Sequence, residues 1–459
     1  MQKTNHMSEA VPNEATEKEI QVLNTALDDN RLHEVERMIN SLPASEIAFF
    51  LESLPKAKRQ KVWDLVDSEH SGEILVHLHD EVRNDFIAQM EKQELVDATS
   101  DLELDDLADI IEDLPKEVTD ELLLSMDKNN RELLKRALSY PEDSAGGLMN
   151  PDVITIRPDV TIDVVLRYLR MRGKLPSPLG DLFAVGRDGH YRGRLDVNDL
   201  LLKDPNIKVS DILDLKSPTI LATTPASEVA QDFEHHDWIS APVVDEQNTL
   251  IGRITVDDIV DVIRDESEQT VMRMAGLDEE DDMFAPVLIS SKRRAVWLGI
   301  NLLTALAAAY AIGFFAETLE RVVALAILMP IVASMGGIAG SQTLTLMIRG
   351  MATGQIGLGN AKSLLSREFF ISIFNSFIWA MVLSVITFLW FKDWNIGLVI
   401  ALALTINLIA GAIAGVVVPL ILRRLSIDPA IAGGVVLTTV TDIVGYVSFL
   451  GLGSALLVG

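Results

Sequence analysis

The stretch MPIVASMGGIAGSQTLTLMIRG, residues 329–350, combines an apolar composition with four glycines, several hydroxyl side chains and a glutamine. Glycine inside a helix costs about 1 kcal/mol relative to alanine. A helix that serves only as an anchor would therefore carry Leu, Ile or Val. Two interpretations follow: close packing against neighbouring helices, or a polar surface along an ion path. The second interpretation places on that path Gly336, Gly337, Gly340, Ser341 and Gln342.

Five segments, including this one, are apolar and long enough to cross a bilayer, which takes about 20 residues each. We predict them over residues 295–316, 322–348, 369–391, 396–422 and 430–457. Basic residues concentrate on the cytoplasmic side of membrane proteins. One side of these segments has Lys292, Arg293, Arg294, Arg349, Lys362, Arg367, Arg423 and Arg424, and the other has Arg321 and Lys392. We therefore predict a multi-pass protein of the plasma (bacterial inner) membrane, with its N-terminus in the cytoplasm and its C-terminus outside.

Asp442 lies near the middle of the fifth segment, in GGVVLTTVTDIVGYVSF, residues 433–449. A charge at this depth is costly and marks a functional site by default. We interpret Asp442 as an ion ligand of the path, with Thr438 and Thr441 beside it. The alternative is a carboxyl group that is protonated or bonded to another helix. The other acidic residues of this part are expected at segment ends, in contact with water: Glu317, Glu320, Glu368, Asp393 and Asp428.

The residue types of the membrane part favour a hard, hydrated cation. Mg²⁺ releases water reluctantly and is usually held by one or two carboxylates, so one Asp per chain suits it. Softer metals prefer imidazole or thiolate ligands. The chain has no cysteine, and none of its eight histidines lies beyond residue 290. The path therefore offers a softer metal neither ligand.

Charge is distributed unevenly along the chain. Residues 1–290 contain 29 basic and 61 acidic side chains, whereas residues 291–459 contain ten basic and six acidic ones. A surface this acidic repels itself unless cations neutralise it, which predicts cations as ligands. It argues against nucleic acid as a partner, because phosphate binding needs clustered Lys and Arg. We expect no enzymatic activity, because no P-loop, nucleophile elbow or zinc-protease motif is present.

Residues 141–264 contain an internal repeat. LFAVGRDGHYRGRLDVNDLL (182–201) and APVVDEQNTLIGRITVDDIV (241–260) both predict strand, turn, strand and helix. The repeat resembles a tandem pair of CBS domains, which have an α/β fold. That resemblance implies that Thr255 and Asp258 contact the ribose of ATP in the second copy. The other interpretation is that Thr255 caps the helix that follows it.

Residues 20–140 predict an α-helical domain of short amphipathic helices separated by Leu-Pro, stacked as a superhelix. We expect residues 1–19 to be disordered. In LDDLADIIED (104–113), Asp105 and Asp109 are one turn apart on one face. A second acidic face follows the repeat in DDIVDVIRDESEQ (257–269). A divalent ion bridging the two faces is one interpretation, and two solvated surfaces are the other.

The order of these parts resembles the MgtE-type magnesium transporters, as do DPAIAGGVVLTTVTDIVGY (428–446) and the glycine-rich second segment. The resemblance implies a multi-domain fold in which residues 265–290 form a connecting ("plug") helix and residues 291–459 form an all-α, five-helix membrane domain. It implies a homodimeric channel for Mg²⁺ influx, with Asp442 of each chain in the pore. Mg²⁺ bound between acidic cytosolic domains would close it. The regulatory ligands that it implies are Asp105, Asp109, Asp258, Asp261 and Glu266.

Two positions depart from the family pattern. The second segment reads GGIAGSQ, with Ile338 where the family carries Asn, and the fifth has Gly434 where Asn is usual. Because those Asn side chains belong to the pore environment, selectivity among Mg²⁺, Mn²⁺, Co²⁺ and Ni²⁺ stays open. Two other functions also stay open. One is a transporter or exchanger of another divalent cation such as Co²⁺, and the other is a membrane-tethered nucleotide sensor.

Overall fold

The computed structural model describes residues 14–100, 102–173, 175, 179–277, 282–357 and 359–458, with side chains from residue 21 onward. The chain forms two compact units. The first comprises Met1–Ser267 with Glu280–Ala285, and the second comprises Glu268–Glu279 with Pro286–Gly459. The disorder predicted for residues 1–19 concerns mainly residues outside the described part. The first helix begins at Glu14, inside the range predicted to be disordered.

The first unit begins with helices, as the Leu-Pro pattern predicts. In chain order they are α1 (Glu14–Asp28), α2 (Leu32–Ile39), α3 (Ala44–Glu52), α4 (Lys56–Trp63), α5 (Ser71–Val76), α6 (Asp80–Ile87), α7 (Lys92–Thr99), α8 (Leu104–Ile111), α9 (Lys116–Ser125) and α10 (Lys128–Ala137). Pro43, Pro55 and Pro115 are the extended residues before α3, α4 and α9. Proline interrupts no helical hydrogen bond at such a position. The helices share one buried core, which includes Leu51 and Leu75.

Helix α8 shows how this pattern positions charge. Leu104, Leu107 and Ile110 recur at three-residue spacing and are buried in the core. The same periodicity turns Asp105 and Asp109 away from that core, to a different face of the helix. Burial of the apolar face therefore fixes where the acidic face of α8 points.

Two three-stranded sheets follow, one in each copy of the predicted repeat. The elements are α11 (Ala145–Leu148), β1 (Thr155–Ile156), α12 (Ile162–Arg172), β2 (Asp181–Val185), β3 (Tyr191–Asp196), α13 (Val197–Leu202), β4 (Ile220–Leu221), α14 (Ala226–His236), β5 (Ser240–Val244), β6 (Leu250–Thr255) and α15 (Val256–Met274). In each sheet the first strand pairs parallel with the second, and the second antiparallel with the third. This shared topology confirms the internal repeat and the CBS-pair fold.

The two copies differ in the helix after the third strand. Helix α13 has six residues and α15 has 19. The connecting helix predicted over 265–290 therefore begins inside the second copy, and it ends earlier, at Met274. The N–H of Leu277 donates to the carbonyl oxygen of Met272 at 2.9 Å, and Gly276 has a φ of 71°. This is a Schellman stop, which glycine allows because it adopts positive φ without strain.

After α15 the chain returns to the first unit before it enters the membrane helices. Asp282 accepts hydrogen bonds from both terminal nitrogens of Arg59 in α4, at 3.0 and 3.1 Å. The Nε–H of Arg59 donates to the carbonyl oxygen of Leu51 at 3.0 Å, and the arginine is only 2% exposed. The N–H of Asp282 donates to Glu81 at 3.1 Å. A buried, bidentate ion pair thus holds this segment on the helical domain.

The second unit contains the apolar helices. They are α16 (Val287–Gly313), α17 (Ala316–Arg321), α18 (Val323–Ala352), α19 (Ala361–Phe391), α20 (Trp394–Arg424) and α21 (Pro429–Gly453), followed by a π-helical turn (Ser454–Val458). Except for the short α17, each is long and apolar enough to cross a membrane, which gives five candidate spans. Helix α20 is the central one and packs against α18, α19 and α21. The five predicted apolar helices are confirmed, although α16 and α19 each begin eight residues before the predicted start.

Candidate cation-binding sites

Glycines bring α18 and α20 into backbone contact. A Cβ atom on Gly411 would lie 2.6 Å from the carbonyl oxygen of Gly336, and one on Gly415 would lie 2.7 Å from that of Gly340. Each helix thus carries a Gly-x-x-x-Gly pair, and the two pairs face each other, as in close-packed membrane helices. Helix α20 covers both Gly336 and Gly340, so this face of α18 is a packing face, and the role of these two glycines in the path stays a prediction.

Another face of α18 remains uncovered. Ser341 and Gln342 are exposed, and Ile338 is 54% exposed. The nearest atom to a Cβ on Gly337 would be Thr441 Oγ1, at 3.8 Å. The two interpretations of this stretch therefore apply to different faces of one helix: packing on the α20 side, and an accessible polar surface on the other.

The threonines near Asp442 also divide between two environments. Thr438 is exposed, as a lining residue must be. Thr441 is fully buried, and its hydroxyl lies 3.1 Å from the carbonyl oxygens of both Leu437 and Thr438. This hydroxyl bonds to its own helix, so the lining role of Thr441 stays a prediction that its burial does not favour.

Asp442 lies in the central part of α21, the fifth apolar helix. Its side chain is half-buried. Within the described part of the chain its carboxylate accepts no hydrogen bond, in contrast to Asp428, which caps α21 by accepting from the N–H of Ala430 at 2.8 Å. The oxygens of the Asp442 carboxylate are therefore available to coordinate an ion.

Sequence reasoning missed Asn407, which lies in α20 and is fully buried. Its Nδ2–H donates to the carbonyl oxygen of Val332 in α18 at 2.8 Å. Its Oδ1 has no hydrogen-bond partner among the described atoms. The signal in the sequence is an uncharged amide, two residues after Thr405, in the mainly apolar segment LALTINLIAG (402–411).

Glu368 is placed differently from its prediction. We expected it at a segment end, in water, but it is only 6% exposed and lies inside the bundle. The hydroxyl of Thr343 donates to its Oε2 at 3.2 Å, and a guanidinium nitrogen of Arg367 lies 3.7 Å from its Oε1. The reason is that α19 begins at Ala361, well before the predicted start at residue 369, so this carboxyl lies within the helix rather than before it.

In the first unit, acidic residues of α8 face the beginning of α15, and we call this contact the acidic interface. Burial, followed by the neighbouring carboxylates of Asp105 and Asp106, raises the pKa of Asp109 from 3.8 to about 8. Burial, followed by the charge of Asp105, raises the pKa of Asp258 in α15 to about 7. The charge of Asp105 acts on both Asp109 and Asp258, and that of Asp258 acts on Asp109, so these three predicted ligands are near neighbours.

Two other predicted ligands lie away from these three. Asp261 is exposed one turn further along α15. Glu266 is two turns beyond Asp258, where burial, followed by the charge of Asp143, raises its pKa. Sequence reasoning gave Asp106 no ligand role, yet burial, followed by the charges of Asp105 and Glu103, raises its pKa to about 7.

The acidic interface is not a closed metal cage. In the residues that the structure describes, no three acidic or imidazole side chains surround a common metal position. Asn150 of the CBS pair donates to Glu103 and Asp105, at 2.9 and 3.1 Å, and this holds one edge of α8. The interface can therefore take an ion that keeps most of its water and bridges one or two carboxylates.

The predicted nucleotide contacts serve as a helix cap. Thr255 is buried, and both its N–H and its hydroxyl donate to Asp258 Oδ2, at 3.0 and 2.9 Å. This resembles half of a capping box, in which the third helical residue accepts from the residue before the helix. The capping interpretation therefore explains both residues without a nucleotide.

Comparisons with known proteins agree with this architecture. The model of the MgtE family, described as divalent cation transporters, matches residues 329–452; the MgtE intracellular N domain matches residues 42–143; and the CBS domain matches residues 145–205 and 209–265. The magnesium transporter MgtE of Bacillus subtilis (strain 168) is 28% identical over 429 residues, which are 94% of this chain and 95% of that protein.

A second relative has the same printed name. The magnesium transporter MgtE of Thermus thermophilus is 28% identical over 441 residues, covering 95% of this chain and 98% of that protein. A crystal structure of the cytosolic domain of the Mg²⁺ channel MgtE in complex with ATP is 28% identical, covers 53% of this chain and 99% of that chain, and has a TM-score of 0.47. The three family models match in order along the chain, and the two relatives match nearly its whole length. The chain therefore belongs to the MgtE family of divalent cation transporters.

Proposed function

We propose that this chain conducts Mg²⁺ across the cytoplasmic membrane, inward, and that Mg²⁺ bound at the acidic interface closes the path. The observation that carries the proposal is the position of Asp442. It is half-buried in the central part of the fifth apolar helix, and its carboxylate accepts no hydrogen bond from the described residues. An ionisable side chain in such a place marks an ion pathway by default.

The chemistry of the path supports a hydrated ion. One carboxylate per chain, with hydroxyl and amide side chains on the uncovered face of α18, offers oxygen ligands and hydrogen-bond acceptors for coordinated water. Mg²⁺ prefers this kind of site because it keeps several of its waters. We infer that two copies pair so that two Asp442 side chains share one ion. The relatives named magnesium transporters support the choice of ion.

The regulatory part of the proposal rests on charge. Burial and mutual repulsion raise the pKa values of Asp106, Asp109 and Asp258 to between about 7 and 8. The packing of α8 near α15 is therefore opposed by charge whenever these groups ionise. A divalent cation removes that repulsion, so cytosolic Mg²⁺ favours the packed state by the difference between its affinities for the packed and separated states.

Helix α15 contains residues of both the regulatory part and the membrane part. Helix α15 carries Asp258 near its first turn and runs without interruption to Met274. Its residues up to Ser267 belong to the first unit, and those from Glu268 belong to the second. Arg273 near its end lies 3.2 Å from Asp428, the N-cap of α21. We infer that ion binding in the first turn of α15 acts through this helix on α21, which carries Asp442.

The experiment that tests conduction is Mg²⁺ entry into liposomes that contain the purified protein, with no opposing ion gradient. We expect entry with the native chain and at least about a tenfold loss with Asp442→Ala and with Asp442→Asn, which corresponds to about 1.4 kcal/mol or more. The matched control is Asp393→Asn, which replaces the N-cap of α20 by another good capping residue.

Each other result of this experiment has a meaning. Entry that is unaffected by both Asp442 variants would refute the role of this residue. Entry of Co²⁺ but not Mg²⁺ would favour the other-cation transporter, and a strict need for a proton or Na⁺ gradient would favour an exchanger. Absence of entry by any divalent ion, with ATP bound by the folded protein, would support the tethered nucleotide sensor.

A further inference from the structure

One fully enclosed polar side chain of the membrane helices is used neither by the proposed path nor by the acidic interface. Asn407 in α20 is 0% exposed, donates to the carbonyl oxygen of Val332, and keeps its Oδ1 without a hydrogen-bond partner among the described atoms. Burying an unpaired amide oxygen is unfavourable. An apolar side chain would avoid that penalty, so the asparagine needs another reason for its place.

Two glycines make the space that Asn407 occupies. A Cβ atom on Gly336 of α18 would lie 2.1 Å from Asn407 Nδ2, and one on Gly445 of α21 would lie 2.7 Å from the same atom. Both distances are far below contact distance, so a Cβ atom at either position would displace the carboxamide. The carboxamide is therefore enclosed between two helices in addition to its own.

This enclosure fixes the rotation of α21 about its axis. Successive residues of a helix point about 100° apart. Turning α21 by one residue would bring Val444 or Tyr446 toward Asn407 in place of Gly445, and neither side chain fits there. The neighbouring contacts of α21 with α18 are consistent with one register, because Gly340 faces Leu437 and Leu344 faces Gly433.

The rotation of α21 decides where Asp442 points. Asp442 precedes Gly445 by three residues, so the two side-chain directions differ by about 60°. The contact between Gly445 and Asn407 therefore also fixes the direction of the Asp442 carboxylate relative to the uncovered face of α18. We propose that Asn407 is a positioning residue that, with Gly336 and Gly445, orients Asp442 toward the ion path. Its importance for conduction rests on the proposed function, whereas the geometric role does not.

The geometric role is tested by cross-linking, which needs no transport. The chain has no cysteine, so a Gly337→Cys/Thr441→Cys pair can be introduced without interference. A Cβ on Gly337 would lie 3.8 Å from Thr441 Oγ1, which is within reach of a disulfide after a small adjustment. We expect oxidation to join the pair quickly when residue 407 is Asn and several-fold more slowly in the Asn407→Ala background. Equal rates would overturn the proposal.

The functional role is tested by creating a clash and then relieving it. Gly445→Ala should lower Mg²⁺ entry, because its methyl group would displace the Asn407 carboxamide. Adding Asn407→Ala should restore part of that entry, although Asn407→Ala alone also lowers it. Gly313→Ala in α16, where a Cβ would meet nothing within 4 Å, is the matched control and should behave as the native chain.

The readout separates positioning from stability. If Asn407 positions Asp442, its substitution should change the Mg²⁺ concentration that gives half-maximal entry. The amount of folded protein should stay the same. A change only in the melting temperature or the folded amount, with the same half-maximal concentration, would overturn the proposal. If even the native chain conducts no Mg²⁺, the proposed function fails, and the cross-linking rates still decide whether Asn407 orients α21.

Discussion

The interface between α18 and α20 and the acidic interface between α8 and α15 are built on opposite principles. In the first, Gly336, Gly340, Gly411 and Gly415 let two backbones touch, and the contact is complete within the chain. In the second, carboxylates with raised pKa values face each other. The first contact is stabilised by close packing. The second is stable only when protons or cations reduce its negative charge.

This difference assigns different tasks to the two regions. Close packing of membrane helices gives a rigid frame for Asp442, because interiors packed at backbone distance tolerate little displacement. A contact opposed by its own charge has a second, separated state close in free energy, and that state is sensitive to ions. The frame suits conduction and the acidic interface suits regulation.

The largest effect is expected where a charged contact is already complete. Arg59→Ala would leave Asp282 buried without its partner, and breaking a buried pair in this way costs about 3–5 kcal/mol. Thermal or denaturant unfolding of the full chain in detergent should show this loss in the unfolding transition of the first unit. Lys56→Ala removes the exposed pair with Asp85 and serves as control, with an expected loss of about 1 kcal/mol or less. Equal losses would show that burial of the Arg59 pair has no special weight.

The next effect concerns the glycine contact. Gly411→Ala places a methyl group 2.6 Å from the carbonyl oxygen of Gly336, which no side-chain movement can relieve. Overpacking of this kind costs about 1–3 kcal/mol. The measurement is the unfolding temperature of the membrane transition in detergent. Gly299→Ala, where a Cβ would meet nothing within 4 Å, should leave that temperature unchanged. A loss with both variants would mean that glycine itself, rather than the contact, is needed.

A smaller effect is expected from pH and Mg²⁺ at the acidic interface. Burial and neighbouring carboxylates raise the pKa of Asp109 to about 8 and that of Asp258 to about 7, above the ordinary 3.8. The packed state therefore binds protons more tightly than the unfolded chain. The stability that these groups provide is complete below about pH 4 and is lost as pH rises through 7 to 8.

Mg²⁺ should replace the missing protons, so its protection should grow with pH. We expect added Mg²⁺ to slow proteolysis of the α8 region strongly at about pH 8.5 and weakly at about pH 6, since ligand carboxylates must be deprotonated. NaCl at matched ionic strength controls for screening. Equal protection at both pH values would contradict the assignment of these carboxylates as ligands.

The smallest effect is expected at Asp261, where the family resemblance and the structure lead to different expectations. The family pattern implies Asp261 as a ligand, but Asp261 is exposed on α15, one turn beyond Asp258. We expect Asp261→Asn to change the stabilisation by Mg²⁺ by less than about 0.5 kcal/mol, as for most surface substitutions. Asp109→Asn should reduce that stabilisation clearly. A reversed order of the two variants would restore Asp261 to the site.

The order of domains, the CBS repeat and the five apolar helices could all be predicted from the sequence, because each depends on a local pattern. The end of α15 at Met274 could not, because the acidic helical pattern continues past Gly276 and hides the stop. The burial of Glu368 could not be predicted from a hydropathy boundary that starts the helix eight residues late.

The membrane site was only partly predictable for a similar reason. Sequence identified Asp442 because a charge in an apolar segment is conspicuous. It could not divide the glycines of α18 between a packed face and an uncovered one, because that depends on which helix lies beside them. The role of Gly336 and Gly445 in making space for Asn407 depends on three helices that are distant in sequence.

The most direct test of the central claim is Mg²⁺ entry measured while Mg²⁺ is varied on the cytosolic side of oriented vesicles. The native chain is compared with a triple variant, Asp105→Asn/Asp109→Asn/Asp258→Asn. We predict that entry through the native chain falls steeply as cytosolic Mg²⁺ rises, and that entry through the variant does not depend on it. An unchanged dependence in the folded variant would contradict the claim that the acidic interface senses Mg²⁺.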